Sequence, residues 1–87
     1  MKKFNRHLNA AEDFVRKGDF VKALVCYQKA AIDSVKAAEI VGDLFYIGEG
    51  EIERNYKEAL RWYENAAIRG SETARLKFER LQRRFYD

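Results

Sequence analysis

Hydrophobic residues recur along this chain at helical spacing, in five blocks separated by glycines and polar capping residues. In the second block Phe20, Ala23, Leu24, Tyr27, Ala30 and Ala31 fall at i, i+3, i+4, i+7, i+10 and i+11, one stripe of an amphipathic helix. Asp19 stands just before that stripe, with a side-chain oxygen suited to an N-cap. The first block runs from about Asn5 to Lys17, carries Leu8, Ala11, Phe14 and Val15 on one side, and stops at Gly18. The third runs from about Lys36 to Ile47, with Ala37, Ile40, Val41, Leu44 and Phe45. It stops at Gly48-Glu49-Gly50, where two glycines release the backbone. The fourth opens after Asn55, which has the spacing of a capping box with Glu58. A fifth follows Gly70 with Ser71 as its cap. Its apolar set Ala74, Phe78, Leu81 and Phe85 lies within a band of roughly 60° at about 100° per residue. The pattern predicts an all-α chain of five helices.

Two of the blocks are copies. Residues 20–32 align with residues 56–68 at an offset of 36, with Ala, Leu, Tyr, Ala, Ala and Ile identical and Phe20 replaced by Tyr56. Six identities in thirteen positions indicate duplication. Alanines at 23, 30, 59 and 66 let a neighbouring helix approach closely, while Tyr27 and Tyr63 fill the gaps beside them. The units are a helix pair over about 5–33, a second over about 36–69, and a closing helix over about 71–85, together one domain spanning 1–87.

Composition narrows the classes. The 87 residues are 47 % apolar and 36 % charged, as in a globular domain, and one Trp, five Tyr and six Phe supply the area a thin core needs. No apolar stretch is long enough to cross a bilayer, and the first residues lead into no hydrophobic signal region. A cytoplasmic protein with no membrane partner is the expectation. Cys26 is the only cysteine, so no internal disulfide can form, and the absence of proline suits a nearly all-helical chain. The net charge of +3 is distributed as +4 over residues 1–32, −3 over 33–70 and +2 over 71–87.

The repeated segments carry a resemblance. Gly18-Asp19-Phe20-x-x-Ala23-Leu24-x-x-Tyr27-x-x-Ala30 resembles the second half of a tetratricopeptide repeat. Val41-Gly42-x-x-Phe45-x-x-Gly48-x-Gly50, followed by Tyr56-x-x-Ala59-Leu60-x-Trp62-Tyr63-x-x-Ala66-Ala67-x-x-Gly70-x-x-x-Ala74, is similar to the Sel-one-like variant, whose two helices are joined by a longer loop. The resemblance spans about residues 7–81 and implies a superhelix of antiparallel helix pairs. The chain departs from the pattern in four places. The loop from Gly50 to Tyr56 is one residue longer, with Ile52 as its apolar plug. The first copy lacks the Sel-type glycines. Cys26 stands where the second copy has Trp62, and Glu79 stands where a glycine is expected after Phe78. Arrays of this kind usually need about three or more units, so two and a half leave self-association into a homo-oligomer open.

No catalytic set emerges, and an enzyme is not expected. His7 is a lone histidine without a second ligand, so no metal and no cofactor is expected there. Cys26 reads as a buried structural thiol, because no activating neighbour is predictable. The alternating acids Glu49, Glu51 and Glu53 lack the ligand series of a calcium loop, and Gly48-x-Gly50 follows a helix rather than a strand, so it is no phosphate cradle.

The resemblance implies instead a protein-binding adaptor whose A helices line a concave groove for a peptide or partner helix. Carried over position by position, that groove takes Leu8, Glu12, Val15 and Arg16 from the first A helix and Glu39, Asp43, Tyr46 and Ile47 from the second. Its mixture of acids, a tyrosine and aliphatics would suit a basic or amphipathic segment. Leu8 and Val15 have a second reading as core residues. The alternative is nucleic-acid binding through Arg75, Lys77, Arg80, Arg83 and Arg84, joined by Lys2, Lys3, Arg6, Arg16 and Lys17 if the chain ends lie close. The first five spread over roughly 200° of their helix, with Glu72 and Glu79 interrupting them, which is what a solvated face also looks like.

Overall fold

A computed structural model describes residues 5–86, so Lys2 and Lys3, and with them the outer edges of the 1–87 domain, lie outside the described residues. Five helices run in chain order: α1 (Arg6–Arg16), α2 (Phe20–Ala30), α3 (Val35–Ile47), α4 (Tyr56–Ile68) and α5 (Glu72–Tyr86). No strand occurs among the described residues. The short connections fold successive helices back on one another, and each helix packs chiefly on its neighbours in the chain, as in a repeat protein. The result is a flattened body of 40 × 34 × 14 Å.

The helix starts are set by side chains that reach back to orphan backbone donors. Asn5 accepts from the Leu8 amide, Asp19 from Lys22, Ser34 from Ala37, Asn55 from Glu58 and Ser71 from Ala74, all at 3.0–3.2 Å. Ser34 caps α3 one residue earlier than the apolar pattern predicts, which brings the β-branched Val35 into the helix. α3 ends at Gly48 in the left-handed conformation (φ +70°), and the Arg54 backbone lies 3.0 Å from where a Cβ would stand, so both conformation and space demand glycine.

The loop that follows is an integral part of the core. Ile52 is buried, the Asn55 amide donates to the Phe45 carbonyl, and Gly50 lies so close to the Phe20 ring that a Cβ there would sit 2.8 Å from it. The longer loop of the second unit thus packs onto the first turn of α2 in the first unit.

Alanine supplies nine of the fifteen buried apolar residues, so the helix backbones lie close and larger side chains fill the space around the contacts. Those fillers are Tyr27, Tyr63, Leu44 and Leu81, with Phe14, Phe20, Phe45 and Trp62 half-buried at the margins. Cys26 is half-buried, not the buried thiol expected from sequence, because its position, like that of Trp62 in the second copy, reaches only partway into the core.

The closing helix keeps the cap and the apolar spacing of α3. At an offset of 37, Ser71 matches Ser34 as a cap, Ala74 matches Ala37, Phe78 matches Val41 and Leu81 matches Leu44. Most other positions differ, and two of the differences bear on packing: Lys77 stands in place of Ile40, and Glu79 in place of Gly42. Both follow from what the helices face. Gly42 accommodates the Tyr63 ring, whereas Glu79 reaches Arg75 on its own helix. Lys77 faces the acids of α3.

Candidate functional site

Tyr63 is the pivot of the site. It is 3 % exposed on α4, and its hydroxyl donates to Asp43 Oδ1 on α3 at 2.6 Å. Its phenol is pushed far above the ordinary value, first by burial and then by the hydrogen bond and negative charge of Asp43. The duplicate position behaves alike. The Tyr27 phenol is raised by burial and then by the charge of Glu12, an acid on the partner helix of its own unit. Each repeat therefore buries a tyrosine within the field of an acid on the preceding helix, and in the second repeat the two are hydrogen-bonded.

Asp43 belongs to a larger network. Lys77 of α5 reaches across to α3, placing Nζ 2.7 Å from Glu39 Oε2 and 3.1 and 3.2 Å from the two Asp43 oxygens. The other Glu39 oxygen accepts from Thr73 at 2.9 Å and Ser71 at 3.2 Å. Burial alone would raise the Glu39 carboxyl, but the hydrogen bonds from Lys77, Thr73 and Ser71 outweigh it and hold the group below the usual value. Lys77 answers in kind: burial opposes its charge, and the bonds to Glu39 and Asp43 more than compensate, raising it. No buried side-chain nitrogen or oxygen among the described residues lacks a hydrogen-bond partner.

Removing only the Tyr63 hydroxyl tests the pivot. Tyr63→Phe should cost about 1–2 kcal/mol, because a bond to a charged acceptor is lost while Asp43 keeps Lys77. Urea unfolding of the two proteins checks this, and an unchanged midpoint would show that the bond contributes nothing.

Above this network lies a cleft of about 540 Å³ lined by Asp43, Tyr46, Ile47, Tyr63, Lys77, Arg80, Leu81 and Arg84. Its floor is apolar and aromatic, and Ile47 stands 53 % exposed at its edge. Tyr46 packs against Tyr56 with ring centroids 5.5 Å apart, and Phe85 meets Tyr56 edge-on at 5.7 Å. Arg84 donates to the Tyr46 hydroxyl at 3.1 Å and lies over the Tyr56 ring. Arg80 makes no hydrogen bond or ion pair with another described residue.

The structure gathers three of the groove residues expected from sequence, Asp43, Tyr46 and Ile47, and leaves the others elsewhere. Glu39 does not line an open surface: at 3 % exposure it is enclosed by Ser71, Thr73 and Lys77. Leu8 and Val15 pack against the core, Glu12 is exposed, and Arg16 pairs with Asp13 at the surface. The basic set of α5 is likewise divided. Arg75 is held by Glu72 and Glu79, Lys77 turns inward, Arg83 is exposed away from the cleft lining, and Arg80 and Arg84 stand in the cleft. They do not form one basic face.

Sequence reasoning also missed Tyr63, Leu81 and the inward role of Lys77. A usable signal was present in the offset of 37, where a lone lysine occupies the position of Ile40 beside the apolar band of Ala74, Phe78 and Leu81. Among the described residues no group of three His, Cys, Asp or Glu is placed to hold a metal ion, and no helix is long and apolar enough to cross a membrane.

Paired helices, a duplicated Ala-Leu-x-x-Tyr core and packing between chain neighbours define a helical-repeat protein. The Sel1 repeat matches residues 7–33 and again 35–71, and the chain belongs to that family. Sel1 repeats are non-catalytic and generally mediate protein–protein interaction. No curated protein and no solved structure matches the chain.

Proposed function

We propose that this chain is a protein-interaction module that holds a peptide or a partner helix in the cleft between α3 and α5. The observation that supports this most is the cleft itself, with Tyr46 and the exposed Ile47 beside a floor of Tyr63 and Leu81. An apolar concavity with a few fixed polar groups is what recognition of a protein segment requires. The groove in this reading is shorter than the one expected from sequence, since it uses α3 and α5 and not α1. Its acids are already engaged from within, Glu39 and Asp43 by Lys77 and Asp43 also by the Tyr63 hydroxyl, which weakens their pull on a basic partner.

The test is affinity capture from a lysate of the source organism, with and without nuclease, on the wild-type protein and an Ile47→Glu variant. Ile47 is exposed, so the variant should keep its helical circular dichroism. The expected outcome is a small protein set that survives nuclease and is lost from the variant. Equal capture by both proteins would remove the cleft from consideration, and loss of every captured species on nuclease treatment would favour nucleic acid.

A further inference from the structure

The chemistry of the cleft rim specifies its occupant further than the fold does. Four charged side chains line it, Asp43 from α3 and Lys77, Arg80 and Arg84 from α5, with Glu39 enclosed behind Lys77. The charges are sorted by depth. Glu39 is buried, and both carboxylates are engaged by Lys77, with Asp43 also accepting from Tyr63. The positive excess stands outside, on Arg80 and Arg84, both exposed and one turn apart on the same face of α5.

The two arginines differ in what holds them. Arg84 is steadied by the Tyr46 hydroxyl and the Tyr56 ring, an arrangement that orients a guanidinium without neutralising it. Arg80 has no acidic partner among the described residues, whereas Arg75 on the same helix is satisfied by Glu72 and Glu79. Two guanidinium forks at i and i+4, with about 5–6 Å between Cβ atoms, can grip carboxylates bidentately beside an apolar floor.

Resting on the reading of this cleft as a partner site, we infer that its occupant is an acidic amphipathic protein segment. One or two Asp or Glu side chains meet Arg80 and Arg84, and a large apolar side chain enters over Tyr46, Ile47, Tyr63 and Leu81. This reverses the preference for a basic segment that the acids of α3 suggest in isolation, because Lys77 is bonded to both acids and Arg80 and Arg84 outweigh the negative charge that remains. Two arginines beside an apolar floor form a small, half-aromatic site, which fits a carboxylate flanked by hydrophobic residues better than an extended phosphate backbone.

The experiment is selection of a displayed library of random 16-residue peptides on the full chain, followed by fluorescence anisotropy with the selected peptides. A 20-nucleotide single strand serves as a second probe. The wild-type protein should enrich Asp or Glu next to Leu, Phe or Trp. The variants Arg80→Gln and Arg80→Glu/Arg84→Glu should weaken those peptides by about tenfold and a hundredfold or more, while raising the salt concentration weakens wild-type binding. Arg80→Gln alters a side chain with no described partner, so it isolates charge from folding.

Selected peptides without acid enrichment that still depend on Ile47 would overturn the acidic preference and leave the cleft reading intact. Peptide binding indifferent to both Ile47→Glu and the arginine variants would sink the cleft reading itself. Tighter binding of the oligonucleotide than of any selected peptide would overturn the assignment of the arginines to a protein partner.

Discussion

Replacing Lys77 with methionine should destabilise the folded chain by about 2–3 kcal/mol and lower its melting midpoint by roughly 10–20 °C. Methionine keeps the stem and its packing but removes the charge that two acids share. Breaking a buried pair by deleting one partner typically costs about 3–5 kcal/mol. The lysine side chain is 38 % exposed, so solvent already screens part of its interaction and the lower figure applies here. For a chain of 87 residues, whose total stability is on the order of 4–13 kcal/mol, that is a large fraction.

The pH dependence distinguishes lost charge pairing from lost packing. Because the Glu39 carboxyl is held below its ordinary value near 4.5, its contribution is complete above that pH and is lost as pH falls through the folded value. Lys77 is held above its ordinary value near 10.5, so its contribution is complete below that pH and disappears only as pH rises through the folded value. Wild-type stability should therefore be level across neutrality and fall in acid. In Lys77→Met, Glu39 keeps only the Ser71 and Thr73 hydroxyls against the cost of burial, so its carboxyl rises and the deficit narrows on acidification. Thermal melts at pH 7 and pH 4.5 measure this, with Glu39→Gln/Lys77→Met as the control that restores part of the loss. A deficit that does not change with pH would assign the effect to packing.

A second large effect is expected at Gly42. Gly42→Leu should cost about 3 kcal/mol, and even Gly42→Ala should cost about 1–2 kcal/mol despite the roughly 0.5–1 kcal/mol that alanine gains over glycine inside a helix. A Cβ at this position would lie 2.6 Å from Cδ1 and Cε1 of the Tyr63 ring. The ring cannot swing away cheaply, since it is 3 % exposed and its hydroxyl is tied to Asp43 on the next residue of α3. Urea unfolding of both variants provides the measurement. A neutral Gly42→Ala would mean that α3 and α4 separate without penalty. Glu79, the counterpart of Gly42 on α5, is the internal control, because Glu79→Ala introduces no clash and should stay within about 0.5 kcal/mol.

The five helices were legible because periodicity and caps are local properties. Asp19, Asn55 and Ser71 cap their helices as the sequence suggests, Gly48 ends α3, and Ile52 plugs the loop. The duplicated block located the contacts at Ala23, Ala30, Ala59 and Ala66, all at 0–1 % exposure.

The candidate site was only half legible, for a reason of distance along the chain. Asp43, Tyr46 and Ile47 follow from their places on α3. Their environment comes from α5, and Lys77 meets Glu39 across 38 positions in sequence. A periodicity argument treats a lysine near the polar side of a helix as solvated, and it assigns an acid on an A helix to the groove. Only tertiary packing turns the two toward each other. The duplicate isoleucines show the opposite limit: Ile32 and Ile68 are identical between the copies yet 79 % exposed, so repetition alone does not mark the core.

The way α5 is held has a consequence for motion. Its backbone rests on α4, while its connection to α3 runs through long side chains and hydroxyls from Ser71 to Arg84. One flank of the last helix is thus fastened by packing and the other by tethers that can lengthen. The mouth of the cleft is bounded by the tethered flank, so an occupant that bridges α3 and α5 should slow the opening of α5 amides to hydrogen exchange before it alters any other helix.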